Sequence, residues 1–240
     1  MMVTAALAGK SRPMAESAYH LLRVFCDDAG EFGNPLGVFL DGAAVPHELR
    51  QAVAADLGFS ETVFVDDAER GEVRIFTPAV ELGFAGHPTV GTAWLLALER
   101  TPVNMLRPPA GEVAVRYEGE VSFVTARPEW APAFDHVELE SAAAIDALAG
   151  PPDGGDVTAA WAWADEPAGL VRSRVFPVRY GIDEDEATGA AAVLLCAQLD
   201  RAIEIVQGRG SHILARPIEG GVVEIGGRSV LDGVRGYRLP

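Results

Sequence analysis

Residues 84–98 read Phe-Ala-Gly-His-Pro-Thr-Val-Gly-Thr-Ala-Trp-Leu-Leu-Ala-Leu, and this stretch predicts a helix that the rest of the fold has to enclose. Its start is rich in small residues, Pro88 suits a first helical turn, and an almost wholly apolar run then extends to Leu98. A helix that is apolar on every side must be covered on every side. The stretch therefore predicts a sheet that wraps around a central helix.

A second stretch, residues 181–195, follows the same plan and reads Gly-Ile-Asp-Glu-Asp-Glu-Ala-Thr-Gly-Ala-Ala-Ala-Val-Leu-Leu. It leads into another apolar helix that is predicted to reach about Leu199. The two helix starts share a Thr, a Gly, small residues and a Leu pair when Thr89 is matched with Thr188. Each follows a strand-rich segment of similar length. The sequence thus predicts two similar domains, with a cleft between them that both helix N-termini face.

Alternating apolar residues and turn signals predict the remaining elements. Strands are expected at residues 20–27, 36–40, 61–65, 72–76, 112–117, 121–126, 157–162, 173–179, 211–216, 221–225 and 237–239. Helices are expected at 46–57 and, inside a loose Ala/Pro/Gly-rich stretch over 131–156, at 141–148. Residues 1–18 are interpreted as a flexible extension, 19–110 as the first domain and 111–240 as the second. In this division, the last strand of the chain could belong to the first domain.

The composition excludes several classes of function. The net charge of −16 disfavours binding to phosphate backbones and to anionic lipid, so neither a nucleic acid nor a membrane is expected as a partner. Cys26 and Cys196 lie far apart, which argues against both a disulfide framework and a zinc site. No apolar stretch approaches the roughly 18 residues needed to span a bilayer. A soluble cytoplasmic protein is therefore expected.

Three titratable residues stand where proton chemistry could occur. Glu61 begins an apolar strand, where burial would raise the pKa of its carboxyl group. His87 and Asp185 lie at the two helix starts, where unpaired N–H groups suit a carboxylate ligand. Taken singly, each has a commoner explanation: a strand-end surface residue, a turn residue and an acidic first helical turn. Their combination along the chain decides the interpretation.

With these motifs in order along the chain, the sequence resembles the phenazine-biosynthesis-like isomerases, which share the diaminopimelate-epimerase-like fold. The resemblance runs from Val24-Phe25 to about Gly227. It is carried by Gly33-Asn34-Pro35, Leu57-Gly-Phe-Ser-Glu61-Thr-Val-Phe64, Arg74-Ile-Phe-Thr-Pro78, Phe84-Ala-Gly86-His87-Pro-Thr-Val-Gly-Thr-Ala93, Gly181-Ile-Asp-Glu-Asp185-Glu-Ala-Thr188-Gly189-Ala190, Gln207-Gly208 and Val223-Glu-Ile-Gly-Gly227.

The resemblance implies an α+β protein of two similar domains, each a curved, mostly antiparallel sheet wrapped around a central apolar helix. It also implies a homodimeric isomerase that uses neither cofactor nor metal and acts on a small anionic metabolite bearing a carboxylate. Glu61 would move a proton from one carbon to another, while His87 and Asp185 would position the substrate and share the proton chemistry. The substrate would be bound by Asn34, Gly86, Thr188, Gly189 and Ala190. The best known family substrate is dihydro-hydroxyanthranilic acid.

Two departures from the family pattern put the substrate in question. Glu186 and Ala190 stand where the family commonly has Pro and Ser, which adds a negative charge near the expected anion site and removes a hydroxyl group. One alternative is an amino-acid epimerase or racemase, which on this fold usually has a cysteine at each helix start, unlike Cys26 and Cys196 here. Another is a binding protein that kept the fold and lost catalysis.

Overall fold

The computed structural model describes residues 16–240, and within that range fourteen strands form one sheet around two buried helices. The strands are β1 (Glu16–Cys26), β2 (Asn34–Phe39), β3 (Thr62–Asp67), β4 (Glu72–Phe76), β5 (Glu81–Leu82), β6 (Met105–Leu106), β7 (Val113–Glu118), β8 (Val121–Ala126), β9 (Asp135–Glu138), β10 (Thr158–Asp165), β11 (Leu170–Phe176), β12 (Ile203–Gln207), β13 (Ser211–Ile218) and β14 (Val222–Arg238). The helices are α1 (His47–Leu57), α2 (Gly86–Glu99), α3 (Ala142–Asp146) and α4 (Gly189–Leu199).

The sheet is mostly antiparallel and runs in the order β5-β4-β3-β2-β1-β14-β13-β12-β11-β10-β9, while β6, β7 and β8 branch from β14. Only the pairs β2–β3, β9–β10 and β11–β12 are parallel within the described chain. An antiparallel hairpin precedes each buried helix: β3–β4 comes before α2, and β10–β11 comes before α4. This recurrence confirms the α+β fold with a repeated plan.

Helix α2 is enclosed as the sequence predicts. Its residues from Gly86 to Ala93 are all buried, and it packs against β1, β2, β8 and β14. Helix α4 packs against β13 and β14, and both helices contribute to one shared apolar core. Leu98, at the end of the predicted apolar run, is 54% exposed and lies outside this core.

The structure differs from the predicted elements at several places. β1 begins at Glu16, before the predicted start of the first domain; the rest of the predicted extension, residues 1–15, lies outside the described residues. β9 and β12 were not predicted, although the buried alternation of Ile203 and Ile205 marks β12 clearly. β14 joins two predicted strands into one, because its second half pairs with β1 from Arg228 to Arg238. The division into domains at residue 110 stays a prediction.

The predicted alignment of the two helix starts is wrong in register. Thr89 is the fourth residue of α2, whereas Thr188 lies just before α4 as its N-terminal cap. The first residues of the helices are Gly86 and Gly189, and these two glycines face each other. The two stretches are therefore equivalent at their glycines, which the close contact requires. Thr89 and Thr188 do not occupy equivalent positions.

Candidate active site

The N-termini of α2 and α4 meet at Gly86 and Gly189. A Cβ atom on Gly86 would lie 3.2 Å from Cα of Gly189 and 2.6 Å from Cδ1 of Ile225. The first N–H groups of both helices have no acceptor within their own helix, so they concentrate partial positive charge in one small region. The sequence predicted that both helix starts would face a cleft, and the structure brings them into direct contact.

This contact gives a first prediction. Gly86→Ala should lower the free energy of unfolding by about 1–3 kcal/mol, because the new methyl group overlaps Cδ1 of Ile225. Urea denaturation would measure the loss. Gly150→Ala is a matched control that should change stability by less than about 0.5 kcal/mol, since its Cβ would meet no atom within 4 Å. Adding Ile225→Val to Gly86→Ala should recover part of the loss; no recovery would contradict the steric explanation.

Glu61 and His87 form an ion pair at the start of α2. Glu61 directly precedes β3 and His87 is the second residue of α2, and Oε2 of the carboxylate lies 3.1 Å from Nδ1 of the imidazole. The side chains are only 18% and 4% exposed, respectively. Burial alone would raise the pKa of Glu61, but the charge of His87 and hydrogen bonding outweigh it and lower that pKa. For His87, burial lowers the pKa, and the charge of Glu61 reverses this to a net rise.

These shifts favour an ionised Glu61 carboxylate beside a protonated His87 imidazolium. Nε2 of His87 is buried and has no hydrogen-bond partner among residues 16–240. A buried N–H without an acceptor is costly, so this atom favours a ligand with an acceptor oxygen.

Asp185 lies in the loop between β11 and α4, where its backbone N–H donates to the Val175 carbonyl at 2.9 Å. Its Oδ1 accepts from Nδ2 of Asn34 at 2.7 Å, and its Oδ2 accepts from the Thr188 hydroxyl at 2.6 Å. Burial raises the pKa of Asp185 to about 6 despite these hydrogen bonds. The charges of Glu61 and His87 act on the same group, so the structure brings the three predicted catalytic residues into one electrostatic unit.

Asn34 reaches this unit through a tight turn. Phe32 and Gly33 both adopt left-handed backbone conformations, with φ of 59° and 85°. A side chain at Gly33 would come within 2.8 Å of Sγ of Cys26, so only glycine fits there. The turn places the amide of Asn34 on Asp185. The Pro35 carbonyl lies close enough to the His87 ring to raise its pKa, although it makes no well-aligned hydrogen bond with Nε2.

The predicted substrate-binding residues divide into two groups. Gly86, Gly189 and Ala190 lie at the helix starts, where backbone N–H groups are available. Asn34 and Thr188 instead hold Asp185 through their side chains. Ala190 is the second residue of α4, the position that His87 occupies in α2, so the second helix start carries no titratable group there.

Gln207, at the end of β12, has a role that the sequence analysis did not assign. Its Nε2 donates to the Asp185 carbonyl and to the Thr188 hydroxyl, both at 2.9 Å, and its Oε1 accepts from the Thr188 N–H at 3.2 Å. The side chain is 1% exposed. The sequence signal for this role is the position of Gln207 at the end of a strand, in the family-like motif Gln207-Gly208.

The cysteines lie away from both helix starts, as the sequence indicated. Cys26 packs beneath Gly33, and Cys196 lies in the middle of α4. Burial raises the pKa of Cys26 to about 11 and that of Cys196 to about 12, so both thiols stay protonated at neutral pH. Neither residue can serve as one of two opposed bases at the helix starts.

One large surface groove is separate from this site. It measures about 1160 Å³ and lies beside Leu40, Glu69, Arg100 and Arg107, and none of the predicted site residues lines it. Over residues 16–240, no cluster of three His, Cys, Asp or Glu side chains could hold a metal ion. No helix in the same range is long and apolar enough to cross a membrane.

Comparison with known proteins identifies the family. The family model described as phenazine biosynthesis-like protein matches residues 22–152. The trans-2,3-dihydro-3-hydroxyanthranilate isomerase of Pseudomonas aeruginosa is 32% identical in an alignment 229 positions long, and the match covers 76% of this chain and 80% of that protein. The chain belongs to the phenazine biosynthesis-like family.

Other relatives extend this result. A protein of Pasteurella multocida that is named an uncharacterized isomerase is 38% identical over 109 residues, and the match covers 43% of this chain and 37% of that protein. A phenazine biosynthesis PhzC/PhzF protein from Clostridium difficile has a similar structure, with a TM-score of 0.76 at 19% identity over 93% of this chain and 100% of the other. A hydroxyproline epimerase from Agrobacterium vitis aligns with a TM-score of 0.59 at 11% identity, over 93% of each chain. The structural likenesses confirm the epimerase-like fold, and the curated names support an isomerase activity.

Proposed function

We propose that this phenazine biosynthesis-like protein moves a proton between two carbons of a small carboxylate-bearing metabolite by general acid/base catalysis. The observation that carries the proposal is the buried contact between Glu61 and His87 at the N-terminus of α2, 3.1 Å apart. A carboxylate whose pKa is lowered is ionised at neutral pH, as a base must be. The adjoining helix starts offer N–H groups that suit the substrate carboxylate.

In the proposed reaction, Glu61 takes a proton from an sp³ carbon of the substrate. The electron pair of the broken C–H bond forms a new double bond, and the old double bond shifts along the conjugated system. Glu61, now protonated, gives its proton to the carbon at the far end. One C–H bond breaks and one forms without a change of oxidation state, so the step requires no electron acceptor. His87, with its unpartnered Nε2, holds an acceptor oxygen of the substrate beside Glu61.

Asp185 completes the proposed site from the second half of the chain. Its carboxylate is held by Asn34 and Thr188, so its position does not depend on the substrate. A negative charge there keeps His87 protonated, which favours the ion pair that ionises Glu61. Preorganised charge of this kind stabilises charge that develops in a transition state.

The first substrate to test is trans-2,3-dihydro-3-hydroxyanthranilate, because relatives that share 32% identity are named for its isomerisation. Ala190 lacks a hydroxyl group that the family commonly offers, so related carboxylates with a C–H bond next to a conjugated system belong in the same panel. The expected homodimer stays a prediction.

The decisive experiment incubates the protein with this panel in D₂O and follows product formation and deuterium incorporation by NMR. We expect an isomerised product that carries deuterium at the newly protonated carbon. Folded protein that leaves every compound unchanged and unlabelled would overturn the proposed proton transfer. Binding of 3-hydroxyanthranilate, the aromatic analogue, without any exchange would favour the binding-protein alternative.

A further inference from the structure

Glu186 was expected to place an extra negative charge near the anion site, but its carboxylate is engaged elsewhere. Its Oε2 lies 3.1 Å from Nε of Arg209, and its Oε1 accepts from the Arg209 N–H at 3.1 Å. The same Oε1 accepts from the hydroxyl of Ser211 at 3.0 Å. Gly208 makes this approach possible, since a Cβ atom on it would come within 2.8 Å of Oε2 of Glu186. The Glu186 charge is therefore compensated by the guanidinium group of Arg209.

Ser211 carries the contact onward to the loop that holds Asn34. Its hydroxyl accepts from the Gly33 N–H at 3.0 Å while it donates to Glu186. Ser211 is completely buried, so water does not compete for either hydrogen bond. One hydroxyl group therefore makes a hydrogen bond to each of the two loops, and these two bonds fix the distance between the loops.

These contacts close on themselves. Asn34 donates to Asp185, Gly33 donates to Ser211, and Ser211 donates to Glu186, so three hydrogen bonds and two peptide links form a ring. The peptide links are those between Gly33 and Asn34 and between Asp185 and Glu186. We call this arrangement the Ser211 ring.

We propose that Glu186 is a positioning residue, which acts through the Ser211 ring to hold Asp185 against Asn34. The role rests on the proposed function, in which Asp185 must stay at a fixed place beside His87. The side chain of Asn34 joins the two loops directly, since its Nδ2 donates to Asp185 at 2.7 Å and to the Ala187 carbonyl at 3.0 Å. The ring adds a second connection, which runs from Gly33 through Ser211 to Glu186. A displacement of about 1 Å at a reacting centre is enough to lower turnover strongly.

The test compares Glu186→Ala and Ser211→Ala with the wild-type protein. Each variant opens the ring at one point, and we expect hydrogen exchange of the Asn34 side-chain amide to accelerate at least about tenfold. With trans-2,3-dihydro-3-hydroxyanthranilate as substrate, kcat should fall roughly tenfold to hundredfold with a smaller change in KM. Because both substitutions open the same ring, the double variant should be no worse than the worse single variant.

Two further variants separate positioning from general loop anchoring. Glu184→Ala removes a comparable ion pair from the same loop, that with Arg174 at 2.6 Å, but leaves the ring closed. It should leave both amide exchange and kcat close to wild type. Glu186→Gln keeps an acceptor oxygen for Ser211, so it should retain most of the activity. It also serves as the test if Glu186→Ala does not fold.

Normal Asn34 amide exchange in the ring variants, or faster exchange with unchanged kcat, would overturn the proposal. An equal loss in Glu184→Ala would overturn it too, since loop anchoring would then explain the effect. If the wild-type protein does not turn over the substrate, the proposed function fails for that compound, while the amide exchange still decides whether the ring holds Asn34 and Asp185 together.

Discussion

Glu61→Gln should lower kcat about a thousandfold, because glutamine keeps the shape of the side chain and removes its ability to accept a proton. General acid/base groups contribute about 10²–10⁴-fold to turnover. The substituted side chain can still hydrogen-bond to His87, so substrate binding and KM should change little. Deuterium incorporation from D₂O into substrate and product should fall in parallel with kcat. The loss of exchange assigns the proton transfer to Glu61 and not merely to a neighbouring group.

Glu72→Gln is the matched control for this prediction. Glu72 lies in β4 of the same half of the molecule and pairs at 3.0 Å with Arg70, but both side chains are well exposed. An exposed ion pair contributes little to stability, so the control should have wild-type kcat and exchange. Unchanged exchange in Glu61→Gln would remove Glu61 from the proposed role, whatever happened to product formation.

The sequence predicted the parts of the fold that depend on one local pattern. The apolar run requires enclosure, and α2 is enclosed from Gly86 to Ala93 and at Leu95 and Leu96. The sequence assigns Glu61 and His87 to one site because both motifs belong to the same family pattern. Neither residue alone would have indicated catalysis, since a glutamate at a strand end and a histidine before a proline usually have structural roles.

The contacts that the sequence could not predict join residues far apart along the chain. Ser211 touches Gly33 across 178 positions, and Gln207 reaches Asp185 across 22 positions. Such contacts depend on sheet register, which places β13 next to β14 and β14 next to β1. The charge of Glu186 was misinterpreted for the same reason, because its partner Arg209 lies in a turn whose position the sequence does not reveal.

Asp185→Asn should lower kcat/KM roughly a hundredfold, because an amide cannot accept both hydrogen bonds that the carboxylate accepts. Thr188 already accepts from Gln207 at 2.9 Å, so its hydroxyl hydrogen must point at Asp185. Asn34 also presents an N–H group to that side chain. In the variant, the NH₂ group of the new amide would face one of these two donors, so the hydrogen bond with that donor would be lost.

The exposed neighbour Asp183 supplies the control, since Asp183→Asn removes the same charge two positions away. That variant should keep at least half of the wild-type kcat/KM. Full activity in Asp185→Asn, measured with the same carboxylate substrate, would contradict the role proposed for Asp185.

The same variant also tests how Asp185 links stability to pH. The folded protein raises the pKa of Asp185 from an ordinary 3.8 to about 6, so it binds this proton more tightly than the unfolded chain does. Folding is therefore opposed by ionisation of Asp185, and the free energy of unfolding should decline relative to Asp185→Asn as pH rises from about 4 to 7. The relative decline should be on the order of 2–3 kcal/mol. Urea denaturation of both proteins at each pH would measure it. A difference that stays constant with pH would contradict the raised pKa of Asp185, because a carboxyl group with the same pKa in both states binds no extra proton on folding.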